Sequence, residues 1–93
     1  MEKVIWSEAA LYDMQQIHDF IYKDSPKYAA IMVNAFFDQA DYLSIYTRIG
    51  RKVPEINDDS VREIIFKGYR LIYQIRSTHI EILSLIHGSK NLV

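Results

Sequence analysis

With 93 residues, 49% of them apolar, and no cysteine, the chain is sized for one domain spanning residues 1–93, with a modest core and neither disulfides nor thiolate metal sites. No run approaches the roughly 20 apolar residues of a membrane span, and residues 1–6 lack the hydrophobic stretch of a secretory signal, so the expectation is a cytoplasmic protein without membrane contact. The net charge of −1 conceals an uneven split: residues 1–47 carry three basic and seven acidic side chains, whereas residues 48–93 carry eight basic and five acidic, which suits the second half to a polyanion or an acidic partner.

Val4, Ile5 and Trp6 form a short apolar run that reads as an edge strand. Ser7 follows as a helix N-cap, and Glu8 places negative charge in the first turn, where the helix dipole favours it. Ala10, Met14, Ile17 and Ile21 then recur at helical spacing, with Asp13, Gln16, Asp19 and Lys23 opposite, which predicts an amphipathic helix. Ser25-Pro26 starts a second helix, because proline suits the first turn and disfavours the α conformation in the residue before it. This helix is predicted to run to about Tyr46. Its buried stripe is Ala29, Val33, Phe36, Ala40 and Leu43, flanked by Met32 and Phe37, while Ile31, Tyr42, Ile45 and Tyr46 fall off the stripe. The two helices make an αα-hairpin with matched apolar faces. Residues 47–60 read as irregular: a glycine stop at Gly50, the pair Arg51-Lys52, Val53-Pro54, then Glu55, Asp58 and Asp59.

Residues 61–87 organise the rest. VREIIF, YRLIYQIR and HIEILSLIH are rich in Ile, Leu, Tyr and Phe and are separated by Lys67-Gly68 and Ser77-Thr78, which predicts a three-stranded antiparallel meander with tight hairpins. Gly68 can supply the positive φ of the first turn. In the middle strand Tyr69, Leu71, Tyr73 and Ile75 alternate with Arg70, Ile72, Gln74 and Arg76, so the hairpin should cover one face and leave the other, cationic, face open. The fold class is α+β: a short N-terminal strand and an αα-hairpin packed on one face of an antiparallel sheet, in the order β-α-α-β-β-β.

The chain has no glycine-rich phosphate loop, no metal-ligand spacing among its three histidines and no serine in a nucleophile elbow, so no metal or cofactor is assigned. A cationic and aromatic constellation remains: Arg51, Arg62, Tyr69, Arg70, Tyr73, Arg76, His87 and Lys90. Such groups fit two roles. A metal-independent ribonuclease would take Arg62, Arg70, His87 and Lys90, with a base activating the 2′-hydroxyl and arginines stabilising the phosphate. A binding surface for an acidic peptide would take Arg51, Arg62, Tyr69, Arg70, Tyr73, Arg76 and His87.

Ala10, Asp13, Met14, Ile17 and Phe20-Ile21, then Ile49-Gly50-Arg51 with Val53-Pro54-Glu55, then Arg62-Glu63, Gly68-Tyr69-Arg70-Leu71-Ile72-Tyr73, and the ending Leu85-Ile86-His87-Gly88 with Asn91-Leu92, occur in an order and spacing that resembles the ParE/RelE toxin superfamily across nearly the whole chain. The resemblance implies a growth-inhibiting toxin of a type II toxin-antitoxin, or plasmid-stabilisation, system, neutralised by an antitoxin encoded beside it, with operator DNA reached only through that antitoxin. The Ile-Gly-Arg-x-Val-Pro-Glu segment and the His-Gly ending look more like ParE members, which poison DNA gyrase by binding. RelE-type members, which cut messenger RNA on the ribosome, tend to carry an arginine where this chain has Ile64 to Lys67, and an aromatic residue beyond His87. An inactive member that only binds antitoxin and assists repression is a third possibility. The implied antitoxin would lay an acidic amphipathic segment over Arg70 and Arg76 and fill apolar grooves beside the hairpin.

Overall fold

The computed structural model describes residues 1–90 and comprises β1 (Lys3–Trp6), α1 (Glu8–Tyr22), α2 (Pro26–Tyr42), β2 (Arg51–Lys52), β3 (Val61–Phe66), β4 (Tyr69–Ile75) and β5 (His79–His87). The strands form one sheet in the order β1-β5-β4-β3-β2, so the central strand of the meander is also central in the sheet. The two helices cover one face.

The helix starts follow their caps. Ser7 Oγ accepts from the Ala10 N–H at 3.0 Å and Ser25 Oγ from the Tyr28 N–H at 3.1 Å, with Pro26 in the first turn of α2. The second helix stops at Tyr42, short of the expected Tyr46, because the Leu43 and Ser44 N–H groups turn to carbonyls three residues back, on Ala40 and Asp41. Leu43 is nevertheless fully buried. Between the hairpin and the sheet, Ala10, Met14, Met32, Phe36, Ala40 and Leu43 meet Leu71, Tyr73, Ile80, Ile82 and Leu85, with Val4 and Trp6 of β1 at the margin. Phe36 lies edge-on to both Phe66 and Tyr69, at 5.8 and 5.7 Å between centroids. Phe37, expected beside the buried stripe, stays partly exposed and leans edge-on against Trp6.

The Lys67-Gly68 hairpin carries positive φ at both residues, 54° and 84°, the geometry of a type I′ turn whose twist matches its strands. The Gly68 carbonyl also accepts from the Gly88 N–H at 2.8 Å, tying the turn to the end of β5.

Three features depart from the sequence reading. The sheet is mixed, since β1 runs parallel to β5 in the register Lys3↔His79 to Trp6↔Ile82; the direction of an edge strand leaves no mark on hydrophobic periodicity. Second, β5 contains a bulge: Ile72 faces Ser84 while Tyr73 faces Ile82, so Leu83 is the extra residue and the alternation changes phase. This puts Ile82 and Leu85 together on the helix side and Leu83 and Ile86 on the other. Where β1 ends, α1 serves the bulged strand: the Ser7 N–H bonds the Ile82 carbonyl, Ser7 Oγ donates to the Leu83 carbonyl, and Asp13 Oδ2 accepts from the Leu85 N–H at 3.0 Å. Asp13 therefore faces the sheet, not the solvent side where its helical position placed it.

Third, the second face of the sheet is not an open cationic surface. Val53 and Ile56 fold back over it and form a smaller core with Val61, Ile72, Leu83 and Ile86. The supposedly irregular stretch supplies this cover after β2, whose Arg51 and Lys52 pair with Glu63 and Arg62.

Truncating Phe36 to Ala should cost about 3–5 kcal/mol in denaturant unfolding, since its rigid surroundings leave a cavity. Lys67→Asn should raise stability by up to about 1 kcal/mol, because asparagine tolerates the left-handed conformation that lysine resists.

Candidate partner-binding surface

The residues singled out from the sequence fall into two sets, divided by the sheet. On the face under residues 53–56, Arg70 is 4% exposed and four of its five N–H donors are taken. Its Nε bonds Glu63 Oε1 at 2.6 Å, its two Nη atoms hold both Glu55 oxygens at 2.7 and 2.8 Å, and Nη1 also reaches the Lys90 carbonyl at 2.7 Å. The second oxygen of the buried Glu63 accepts from Arg51 Nε at 2.6 Å. Hydrogen bonding to Glu55, and behind it Glu63, pushes the Arg70 guanidinium further above its ordinary pKa against the effect of burial, so it remains charged. Arg70 is thus held inside the protein by two carboxylates, with four of its five N–H groups bonded.

On the helix-side face, Tyr73 is fully buried. Its hydroxyl donates to the Thr47 carbonyl at 2.8 Å and accepts from the Gly50 N–H at 3.0 Å. A Cβ on Gly50 would lie 2.7 Å from both the Glu63 carbonyl and the Tyr73 hydroxyl, which only glycine avoids. Arg62 completes the latch, donating to the Gly50 carbonyl at 2.9 Å and to Asp59 Oδ1 at 3.1 Å. Asp59 also binds Arg48 at 2.6 Å, and that hydrogen bond, backed by the charges of Arg62 and Lys52, holds its carboxyl below the usual range. Burial pushes the Tyr73 phenol up.

Of the remaining candidates, Lys90 adjoins Arg70 and Arg51 at one cleft, and Arg76 and His87 lie apart. Arg76, beyond the end of β4, is exposed and bound to Glu81 at 2.7 Å, so Arg70 and Arg76 do not form the paired cationic surface expected of them. His87 is exposed at the far end of β5, bonded through Nδ1 to Ser89 Oγ and edge-on to Tyr69 at 5.9 Å. Lys90 is exposed and contributes its carbonyl to Arg70. Since Tyr69 pairs with His87 and Tyr73 with Arg62, the histidine and Arg62 sit four residues apart along β4, about 13 Å at 3.3 Å per residue. Among the described residues no group of three acidic, histidine or cysteine side chains is placed to hold a metal ion.

What the surface does offer is apolar. Tyr12 and Phe20 on α1 are 66% and 69% exposed, and Ile31 and Tyr42 on α2 are about half exposed, followed by Ile45 and Tyr46. A cleft of about 290 Å³ opens between the helices, lined by Leu11, Met14, Gln15, His18, Val33 and Phe37. The off-stripe positions of Ile31, Tyr42, Ile45 and Tyr46 signalled this surface in the sequence; Tyr12 and Phe20 carried the same signal, being apolar on the polar side of α1.

An αα-hairpin on a five-stranded mixed sheet, with Arg62 and Arg70 held by carboxylates, defines a small α+β protein whose helices present exposed apolar side chains. The chain belongs to the ParE toxin family: the family model for the ParE toxin of type II toxin-antitoxin system, parDE, matches residues 4–92. A solved structure described as the chromosomal ParDE TA system from P. aeruginosa is similar to it with a TM-score of 0.77, at 20% identity over 94% of this chain and 96% of that one, a likeness of fold. No curated protein matches the sequence significantly. Membership of a toxin-antitoxin family implies an antitoxin as partner, and no helix among the described residues is long and apolar enough to cross a membrane.

Arg70→Ala should destabilise by about 3–5 kcal/mol by leaving the buried Glu63 with Arg51 alone and Glu55 without its guanidinium, and pairing it with Glu63→Leu should recover part of that loss in a double-mutant cycle. The raised Tyr73 phenol predicts stability that is complete below about pH 10, where the unfolded tyrosine begins to ionise, and lost as pH rises from there through the folded value. Tyr73→Phe should be less stable at neutral pH yet show a shallower alkaline decline in thermal melts.

Proposed function

We propose that this chain is the toxin of its module, that it acts in the cytoplasm by binding DNA gyrase and not by chemistry, that the antitoxin encoded beside it neutralises it, and that operator DNA is reached only through that antitoxin. The observation that carries this reading is the state of the cations. Of the four groups a ribonuclease would use, Arg70 is consumed by Glu55, Glu63 and a carbonyl, and Arg62 by Asp59 and the Gly50 carbonyl. Lys90 shares a cleft with Arg51, Arg70 and Glu55, where the carboxylate that holds Arg70 also opposes a bound phosphate, while His87 turns to Ser89 and Tyr69. Phosphoryl transfer needs a base and unspent positive charge converging on one phosphate, and what supports the binding reading is that both candidate arginines are held by carboxylates.

The antitoxin has an apolar surface to cover. A segment presenting apolar side chains to the cleft between α1 and α2 gains burial at Leu11, Val33 and Phe37, while the ordering of a disordered antitoxin offsets part of that gain. Charge contributes mainly to the association rate and apolar anchors to the dissociation rate.

Purified protein should inhibit gyrase supercoiling, and its induction in a bacterium should cause filamentation with DNA-damage signalling. Rapid translation arrest with cut transcripts and untouched supercoiling would instead establish the ribosome-dependent nuclease, and unimpaired growth the inactive binding module. Leu11→Glu should speed antitoxin dissociation about tenfold or more in surface-binding kinetics, with the melting temperature of the free toxin little changed.

A further inference from the structure

The β2 strand covers only part of the β3 edge. Arg51 and Lys52 pair with Glu63 and Arg62, after which the chain is drawn away, because the Gly50 N–H turns inward to Tyr73 Oη and the Ile49 N–H to the Tyr46 carbonyl. Residues 64–66 are left without a strand on that side among the described residues. The direction of their backbone groups follows from their neighbours. The Ile75 N–H bonds the Ser60 carbonyl and the Val53 N–H the Val61 carbonyl, so by antiparallel alternation residues 60, 62, 64 and 66 bond toward β4, and 61, 63 and 65 toward β2. The N–H and C=O of Ile65 therefore face solvent. The slot is three residues long, about 10 Å at 3.3 Å per residue, and beside it lies a mainly apolar cleft of about 250 Å³ lined by Tyr42, Ile49, Ile64 and Ile65.

We infer that this open edge receives a short extended segment of the antitoxin, which adds as a strand beside Ile65, places an apolar side chain in the adjoining cleft and sets carboxylates near the cations at the two ends of the slot. The inference rests on the proposed antitoxin partnership and adds a second contact away from the cleft between the helices. The occupant follows from charge and length. Arg51 closes one end of the slot and Lys67 the other, which favours an acidic segment. A second copy of this chain does not fit: two β3 edges paired about Ile65 would drive the Lys67-Gly68 turn of each into the Arg51 end of β2 in the other, cation against cation. Main-chain bonds then supply attachment, and the cleft supplies selection among side chains.

The test uses amide hydrogen exchange on the full-length toxin with and without the neighbouring antitoxin. The Ile65 amide should exchange fast in the free toxin and become strongly protected in the complex, whereas those of Ile64 and Phe66, already bonded to β4, should be protected in both. Ile65→Pro removes the outward N–H and trims the cleft wall but leaves the β3–β4 ladder intact; it should weaken antitoxin binding at least about five- to tenfold more than Ile65→Ala, which trims the same wall and keeps the N–H, that difference being the worth of one backbone hydrogen bond. Ile65→Val should bind as the parent does. A tight complex in which Ile65 stays unprotected overturns this inference and leaves the antitoxin partnership standing, whereas absence of any complex overturns both.

Discussion

The Arg70 guanidinium is where separate parts of this chain are made to agree. It joins β4, which carries it, to Glu63 on β3, to Glu55 in the segment that covers the second sheet face, and to the Lys90 carbonyl beyond β5. A charge taken out of water demands all of these partners at once, so the segment from Val53 onward and Lys90 are positioned by the same requirement. Arg51 extends the chain of pairs to the sheet edge through the other oxygen of Glu63. The covering segment is therefore bound by an ionic interaction at Glu55 and an apolar one at Val53 and Ile56, which together explain how a stretch lacking regular structure stays in place.

The opposite face follows a different logic. The hairpin is held by burial of small and aromatic side chains, with Ala10, Ala29 and Ala40 allowing close approach and Phe36 filling the space they leave. Only one side of each helix is used for this. The other keeps exposed aromatic and aliphatic groups, a costly composition for a free monomer.

Much of the architecture could be read from residue patterns. Ser7, Ser25-Pro26 and Lys67-Gly68 each announced a boundary through local chemistry, and the stripe through Phe36 announced a face. The limits have physical causes. Alternation in 69–76 assigns sides of a strand but says nothing of whether a later or earlier loop lies over them, so the cover provided by Val53 and Ile56 went unseen, and Arg70 was placed on an open surface. The bulge at Leu83 is a phase change between two runs that each look regular, and the position of Asp13 on α1 appears solvent-facing until the unpaired Leu85 N–H is known. For the site, the same limit applies more severely: Glu55, Glu63 and Asp59 decide which arginines are available, and apart from Asp59–Arg62, three residues apart, their pairing depends on contacts 7 to 15 residues apart in sequence that no spacing rule encodes.

The service that α1 renders to β5 has a consequence for handling the protein. Beyond Ile82 the outer edge of β5 is completed not by a strand but by Ser7 and Asp13, so the first helical turns act as a cap on an otherwise bare, apolar β-edge. Shortening the chain from its amino end past Asp13 would remove both β1 and this cap together, presenting a nine-residue template to other molecules. Such truncated forms would be lost to aggregation rather than to simple unfolding, and a fusion partner is better joined at a point that leaves residues 3–13 free to close the sheet.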